Sequence, residues 1–151
     1  ALAMPSEPVM KDIEEEVATL RRKYVSAVAA RNVTALTQLY DPKVRIFDAW
    51  GVWEYNGTEA WQIAIEGWFS SSPGDKLRVE VRDCTVTGDA GLATMTAIVS
   101  YAAVSPAGVE SHAMQNRITW VMRTTGHILR IVHEHTSAPI GFEDMKAILK
   151  K

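Results

Sequence analysis

The sequence predicts an α+β roll, in which three N-terminal helices pack on a curved, mostly antiparallel sheet that encloses a cavity. Two observations predict it. In the first half, most apolar residues recur every three or four positions, as in helices; in the second half they alternate with polar residues, as in strands with one solvated face. The chain has 151 residues, a length typical of one domain.

Three helices are predicted. The first runs from about Lys11 to Ala30, with acidic residues in its first turns and basic residues later, as the helix dipole favours. Asn32 caps a short second helix, which Asp41-Pro42 ends. Thr58 caps a third helix over Glu59–Phe69.

Strands account for most of the remaining chain. A first strand is predicted between the second and third helices, at Val44–Ala49, and a hairpin turn at Pro106–Gly108. The other strands follow the third helix in a meander, with the predicted ranges Leu77–Arg82, Leu92–Val104, Ser111–Met122 and Ile128–Thr136.

Domain organisation is simple. Residues 1–10 lack periodicity and are predicted to be a flexible tail; residues 11–140 form the domain, and residues 141–151 a C-terminal extension with a short helix. The reducing cytoplasm is the expected compartment, because Cys84 is the single cysteine and excludes a disulfide framework.

Charge and motifs exclude several classes of function. The net charge is −2, so neither a nucleic-acid partner nor a membrane partner is expected. The sequence has no glycine-rich nucleotide motif, and no cofactor is predicted. A small-molecule ligand or another copy of the chain remains as the partner.

Asp48 and Tyr24 are the first candidate site residues. Asp48 shares a strand face with Val44 and Ile46, and apolar neighbours raise the pKa of a carboxyl group towards that of a general base. Tyr24 lies on the apolar face of the first helix, where its hydroxyl can donate a hydrogen bond to a ligand. A turn-capping aspartate and a core tyrosine are the alternatives.

The last two strands carry further candidates. His133 and His135 are expected to share a face with Ile131 and to line the cavity, with Glu134 on the opposite face. A metal site is not predicted, because a third ligand is lacking. Arg117 either lies in solvent or points into a polar pocket, where it can hold an anion.

Four of the five tryptophans, namely Trp50, Trp61, Trp68 and Trp120, are candidate cavity walls. Trp61 and Trp68 share one face of the third helix, and Trp50 and Trp53 follow Asp48 at the expected rim of the cavity. Trp120, on the penultimate strand, is the fifth.

Two segments resemble the SnoaL-like and ketosteroid-isomerase-like branch of the nuclear transport factor 2-like superfamily, over about residues 11–139. One runs from Lys23 to Asp48. The other begins at Arg117 and ends in Arg130-Ile-Val-His-Glu-His-Thr-Ser137, an ending that is frequent in SnoaL-like domains. The resemblance implies a cone-shaped roll with its site inside the cone.

The resemblance also implies roles for particular residues. Tyr24 and Asp48 fall where the isomerase family has its hydrogen-bond donor and its proton-moving aspartate. Arg117 falls near the position of a protonated acid in that family, so steroid isomerisation is not expected, whereas an anionic oxygen would suit an arginine there. His135 falls where related polyketide cyclases place an acid–base residue.

A second similarity leaves another function open. The chain is similar to the association domain of calcium/calmodulin-dependent protein kinase II at Asp41-Pro42, at Arg117 with Trp120, and at His133 to Pro139. That domain is not an enzyme but assembles dimers into rings. The resemblance therefore implies at least a homodimer, and a ring if the chain is an oligomerisation module rather than an isomerase-like or cyclase-like enzyme.

Overall fold

This computed structural model describes residues 6–151, with side chains from Ile13 onward. Its helices are α1 (Ser6–Ala29), α2 (Val33–Thr37) and α3 (Thr58–Phe69). Its strands are β1 (Tyr40–Phe47), β2 (Tyr55–Asn56), β3 (Lys76–Gly88), β4 (Ala93–Val104), β5 (Glu110–Thr125) and β6 (Ile128–Ser137). The predicted α+β architecture is confirmed: helices pack on a six-stranded, curved and unclosed sheet.

The helices form where apolar residues fall on one face. In α1, Val17, Leu20, Tyr24 and Val28 are buried at steps of three and four, which turns this face towards the sheet. The helix begins at Ser6, inside the predicted flexible tail, and residues 1–5 of that tail lie outside the described residues.

The sheet has the order β2-β1-β6-β5-β4-β3. Among the described strands, β1 pairs with β6 in parallel and every other pairing is antiparallel. The parallel pair brings the end of β1 beside the end of β6, with Phe47 opposite His135. As a result, the residues that follow Phe47 lie beside those that follow His135.

A β-bulge in β6 determines which residues face the core. Met122 pairs with Ile131, but the preceding residue of β5, Val121, pairs with His133, so Val132 is an additional residue in β6. An additional residue reverses the alternation of side chains beyond it. Ile131 is buried on the inner face, and after the bulge the inner residue is Glu134.

The C-terminal extension differs from its prediction. Residues 141–151 contain no helix; Ile140 forms an isolated bridge with Ala147. The backbone N–H of Gln115 then donates to the carbonyl of Leu149 over 2.7 Å, which holds the end of the chain along β5. The predicted short helix is therefore not formed, and the end of the chain is instead held by its contact with β5.

No helix in the described part of the chain is long and apolar enough to cross a membrane.

Candidate functional site

A cavity of about 680 Å³ lies between the helices and the inner face of the sheet. Its walls are mainly aromatic, with the side chains of Tyr24, Trp50, Tyr55, Trp61, Trp68 and Tyr101. Its polar lining includes the side chains of Asp48, Asn116, Glu134 and Thr136. An apolar cavity with a few convergent polar groups is the usual form of a small-molecule site.

Glu134 is the most deeply buried acid of this cavity, with 2% of its surface exposed. The Tyr40 hydroxyl donates to Glu134 Oε1 over 2.7 Å, and Trp120 Nε1 donates to the same oxygen over 2.9 Å. Burial raises the pKa of Glu134 to about 7, and the charge of Asp48 adds to that rise, while the two hydrogen bonds act against it. Near neutral pH the protonated and the ionised form of this carboxyl group are therefore both populated.

Asp48 follows β1 and lies beside Thr136 of β6. The Thr136 hydroxyl donates to Asp48 Oδ1 over 3.0 Å and accepts from the backbone N–H of Ala49 over 2.9 Å. Burial raises the pKa of Asp48; the Thr136 hydrogen bond is the strongest influence in the opposite direction. Two carboxyl groups with raised pKa values thus line one cavity.

Two tyrosines form a hydroxyl pair on the cavity wall. Tyr24 of α1 and Tyr101 of β4 have their hydroxyl oxygens 3.0 Å apart. One hydroxyl donates to the other, so the second proton of the pair is available to a ligand. Burial raises the pKa of both phenols, which keeps them protonated at neutral pH.

Asn116 of β5 is 5% exposed and lines the cavity. Its Oδ1 is buried and has no hydrogen-bond partner among the described residues. A buried polar atom without a partner is energetically unfavourable, so we expect a bound ligand to donate a hydrogen bond to this oxygen.

The mouth of the cavity lies between the β1–β2 loop and the C-terminal end. Trp50 Nε1 is 3.2 Å from Met114 Sδ of β5, and Leu149 lines the cavity beside them.

The α3 helix starts after Gly57, whose φ of +85° is accessible to glycine and strained for other residues. This turn places the Trp61 and Trp68 side chains against the cavity.

The profile of one protein family matches most of this sequence, over residues 17–141: the SnoaL-like domain. The chain belongs to the SnoaL-like domain family. No curated protein matches the sequence.

Solved structures similar to this SnoaL-like domain share its fold. A protein of unknown function from Pseudomonas putida KT2440, described as NTF2-like, is 25% identical with a TM-score of 0.83, over 93% of this chain and 96% of that one. A proposed calcium/calmodulin dependent protein kinase II association domain from Xanthomonas campestris is 22% identical with a TM-score of 0.70, over 82% and 86%. An NTF2-like protein from Novosphingobium aromaticivorans is 19% identical with a TM-score of 0.75, over 90% and 88%.

The structure brings five of the predicted site residues together in the cavity of the SnoaL-like domain: Tyr24, Asp48, Trp50, Trp61 and Trp68. Trp120 lies behind the wall rather than on it. Its ring is fully buried, 5.4 Å from the Tyr24 ring in an edge-on contact, and it holds Glu134 in place.

Three predicted site residues lie on the outer face of the sheet. The expectation that His133 and His135 line the cavity is wrong, and of the two alternatives for Arg117 the solvent-exposed one is observed. The bulge at Val132 turns His133 and His135 outward. Their ring centres lie 5.0 and 5.4 Å from the centre of the Phe47 ring. Arg117 is exposed there, and its Nε donates to Ser137 Oγ over 3.1 Å. An anion-binding arginine inside the cavity is therefore not present at this position.

Sequence reasoning missed Glu134, Tyr101 and Asn116. Tyr101 had a usable signal, because it continues the apolar face of β4 that includes Ala97 and Val99. Glu134 had none in a regular strand, since the bulge alone places it inside.

Proposed function

We propose that this SnoaL-like domain binds a small molecule with a largely apolar body inside the cavity and transfers a proton on it. Asp48 accepts the proton, Glu134 supplies one, and the hydroxyl pair of Tyr24 and Tyr101 donates a hydrogen bond to the ligand. One observation carries the proposal: two carboxyl groups with raised pKa values line the same aromatic cavity. Such pairs are typical of acid–base sites.

The two carboxyl groups divide the roles because their charges interact. The charge of Asp48 raises the pKa of Glu134, so the pair holds one proton over an intermediate range of pH. Glu134 keeps that proton better, because it is more deeply buried. A base and an acid are then present at the same time, which a proton transfer between two atoms of a ligand requires.

Deuterium exchange of a carbonyl probe tests this proposal. The domain is incubated with 4-phenylbutan-2-one in heavy water. Proton NMR follows the decay of the C–H signals next to the carbonyl group as these protons are replaced by deuterium. We expect exchange faster than in buffer, and Asp48→Asn to slow the enzyme-dependent part by about 10²-fold or more. His135→Asn on the outer face is the matched control and leaves the rate unchanged. Equal rates for wild type and Asp48→Asn would contradict Asp48 as the base.

A non-catalytic oligomerisation module is a second candidate function, and a specific surface favours it. The outer face of the sheet, opposite the cavity, carries a mixed patch with the half-buried Phe47 and Ile98 between polar residues such as Arg117. Patches of this composition form interfaces between copies of a chain. Light scattering distinguishes the candidates: a dimer agrees with the small-molecule site, whereas a stable ring of ten or more subunits favours the module.

A further inference from the structure

Three side chains that line the cavity offer hydrogen-bond acceptors to a ligand, whereas the hydroxyl pair of Tyr24 and Tyr101 offers a donor. Glu134 Oε1 receives both of the donors described above, and Oε2 receives no hydrogen bond from any described residue. Asn116 Oδ1 is buried without a partner, and Asp48 is a third acceptor group when ionised. A ligand that complements these groups must bring donors.

The charged side chains of the cavity also disfavour an anionic ligand. Of the described residues that line it, Arg78 and His112 carry the basic groups, and both are exposed near the mouth. Arg78 already pairs with Glu110. The inner end therefore holds two carboxyl groups and no basic side chain, so a carboxylate or phosphate placed there would meet like charge.

The aromatic walls of the cavity also favour a cationic ligand. Tryptophan and tyrosine rings attract cations to their faces, and the attraction is larger where water is excluded. The rings of Trp68 and Tyr101 meet edge to face at 5.5 Å, and those of Tyr55 and Trp61 lie 5.3 Å apart in a tilted arrangement. Aromatic rings around carboxyl groups are a common environment for organic ammonium ions.

We propose that the natural ligand carries a basic nitrogen, which binds in its protonated form against Glu134 Oε2 and Asn116 while its apolar body contacts the aromatic walls. This inference rests on the proposed function, because it names the class of molecule that the same cavity takes. It replaces the anionic ligand that Arg117 suggested in the sequence. Ionised Glu134 pairs with the ammonium group, which removes the cost of a buried unpaired charge. In this complex the ammonium N–H takes the place of the Glu134 carboxyl group as the proton donor of the proposed function.

A matched series of probes tests the inference. The series is 4-phenylbutylamine, 4-phenylbutan-1-ol and 4-phenylbutanoate, which share one skeleton and differ in charge. Binding is measured by calorimetry at pH 7, with tryptophan emission as a second readout. We expect the amine to bind at least tenfold tighter than the alcohol, and the carboxylate to bind weakest. Glu134→Gln lowers the affinity for the amine about tenfold and leaves that for the alcohol unchanged.

Proton release provides an independent readout. With a pKa of about 7, Glu134 is about half protonated at pH 7, so pairing with an ammonium ion releases about half a proton per site. The release is obtained from the binding enthalpy in two buffers of different ionisation enthalpy. The alcohol releases none, and Glu134→Gln abolishes the release with the amine.

Controls keep the outcomes distinct. Glu15→Gln, on the exposed surface of α1, removes the same charge far from the cavity and leaves all affinities unchanged. Asp48→Asn serves as a second variant if Glu134→Gln does not fold. Equal affinities for amine and alcohol, or tightest binding of the carboxylate, overturn the inference and leave the proposed function standing. Failure of all three probes to bind counts against both.

Discussion

Glu134 and His135 are neighbours in the chain and lie on opposite faces of β6. Glu134 is 2% exposed, holds hydrogen bonds from Tyr40 and Trp120, and has a raised pKa. His135 is exposed and packs on Phe47 at the outer face. The difference shows that position in the fold decides the properties of each side chain: burial raises the pKa of the glutamate, whereas the histidine is a surface residue.

The largest expected effect comes from removing the inner-face residue that supports Glu134. Trp120→Ala creates a large cavity and deprives Glu134 of a donor. We expect the free energy of unfolding to fall by about 3–5 kcal/mol, measured by urea denaturation. Thr119→Ala, one residue along on the outer face, is the control with an expected change below about 0.5 kcal/mol. Similar losses for both variants would refute the difference between the faces.

The second largest expected effect is on the pH dependence of the free energy of unfolding. The pKa of Glu134 is about 7 in the folded protein and 4.5 without its environment. Between these values the folded state keeps a proton that the unfolded chain has lost, so stability falls as the pH rises. We expect a loss of about 3 kcal/mol from pH 4.5 to pH 8.

Glu134→Gln removes this part of the pH dependence, because its side chain does not ionise. Urea denaturation at a series of pH values measures both proteins, and His135→Gln is the matched variant from the outer face. An unchanged pH profile in Glu134→Gln would show that another group, such as Asp48, is responsible.

Tyr40→Phe gives a smaller effect that depends on pH. The lost hydroxyl donates to Glu134 Oε1, and such a bond is stronger when the acceptor is ionised. We expect a cost of about 2 kcal/mol at pH 8 and about 1 kcal/mol at pH 5, together with a higher pKa of Glu134. Tyr55→Phe, on the cavity wall, is the control and is expected to show no such difference. A cost that is equal at both pH values contradicts a role through Glu134.

The smallest effect is expected on the outer face. His135→Ala removes an exposed ring and changes the free energy of unfolding by less than about 0.5 kcal/mol. Urea denaturation of the isolated domain at low protein concentration measures this. A larger loss that grows with protein concentration would indicate that the outer face is buried between copies of the chain.

Particular elements show how far sequence patterns reach. The apolar steps of α1 placed Tyr24 on the inner face, and the alternation Val44, Ile46, Asp48 placed the aspartate there too, because α1 is a regular helix and β1 alternates regularly from Val44 onward. The same rule failed in β6, since Val132 adds one residue to the strand. The short helix expected in the C-terminal segment is absent as well, because the bridge from Ile140 to Ala147 and a contact with Gln115 hold that segment along β5.

The sequence by itself determined the fold class, the order of the main elements and the inward positions of Tyr24 and Asp48, because short-range periodicity is sufficient for these features. Only the tertiary structure decided that Glu134, rather than His133 or His135, completes the cavity. The reason is physical: a strand has a side-chain period of two, so one additional residue exchanges its faces, and the pairing of β6 with β5 and β1 shows where that residue lies.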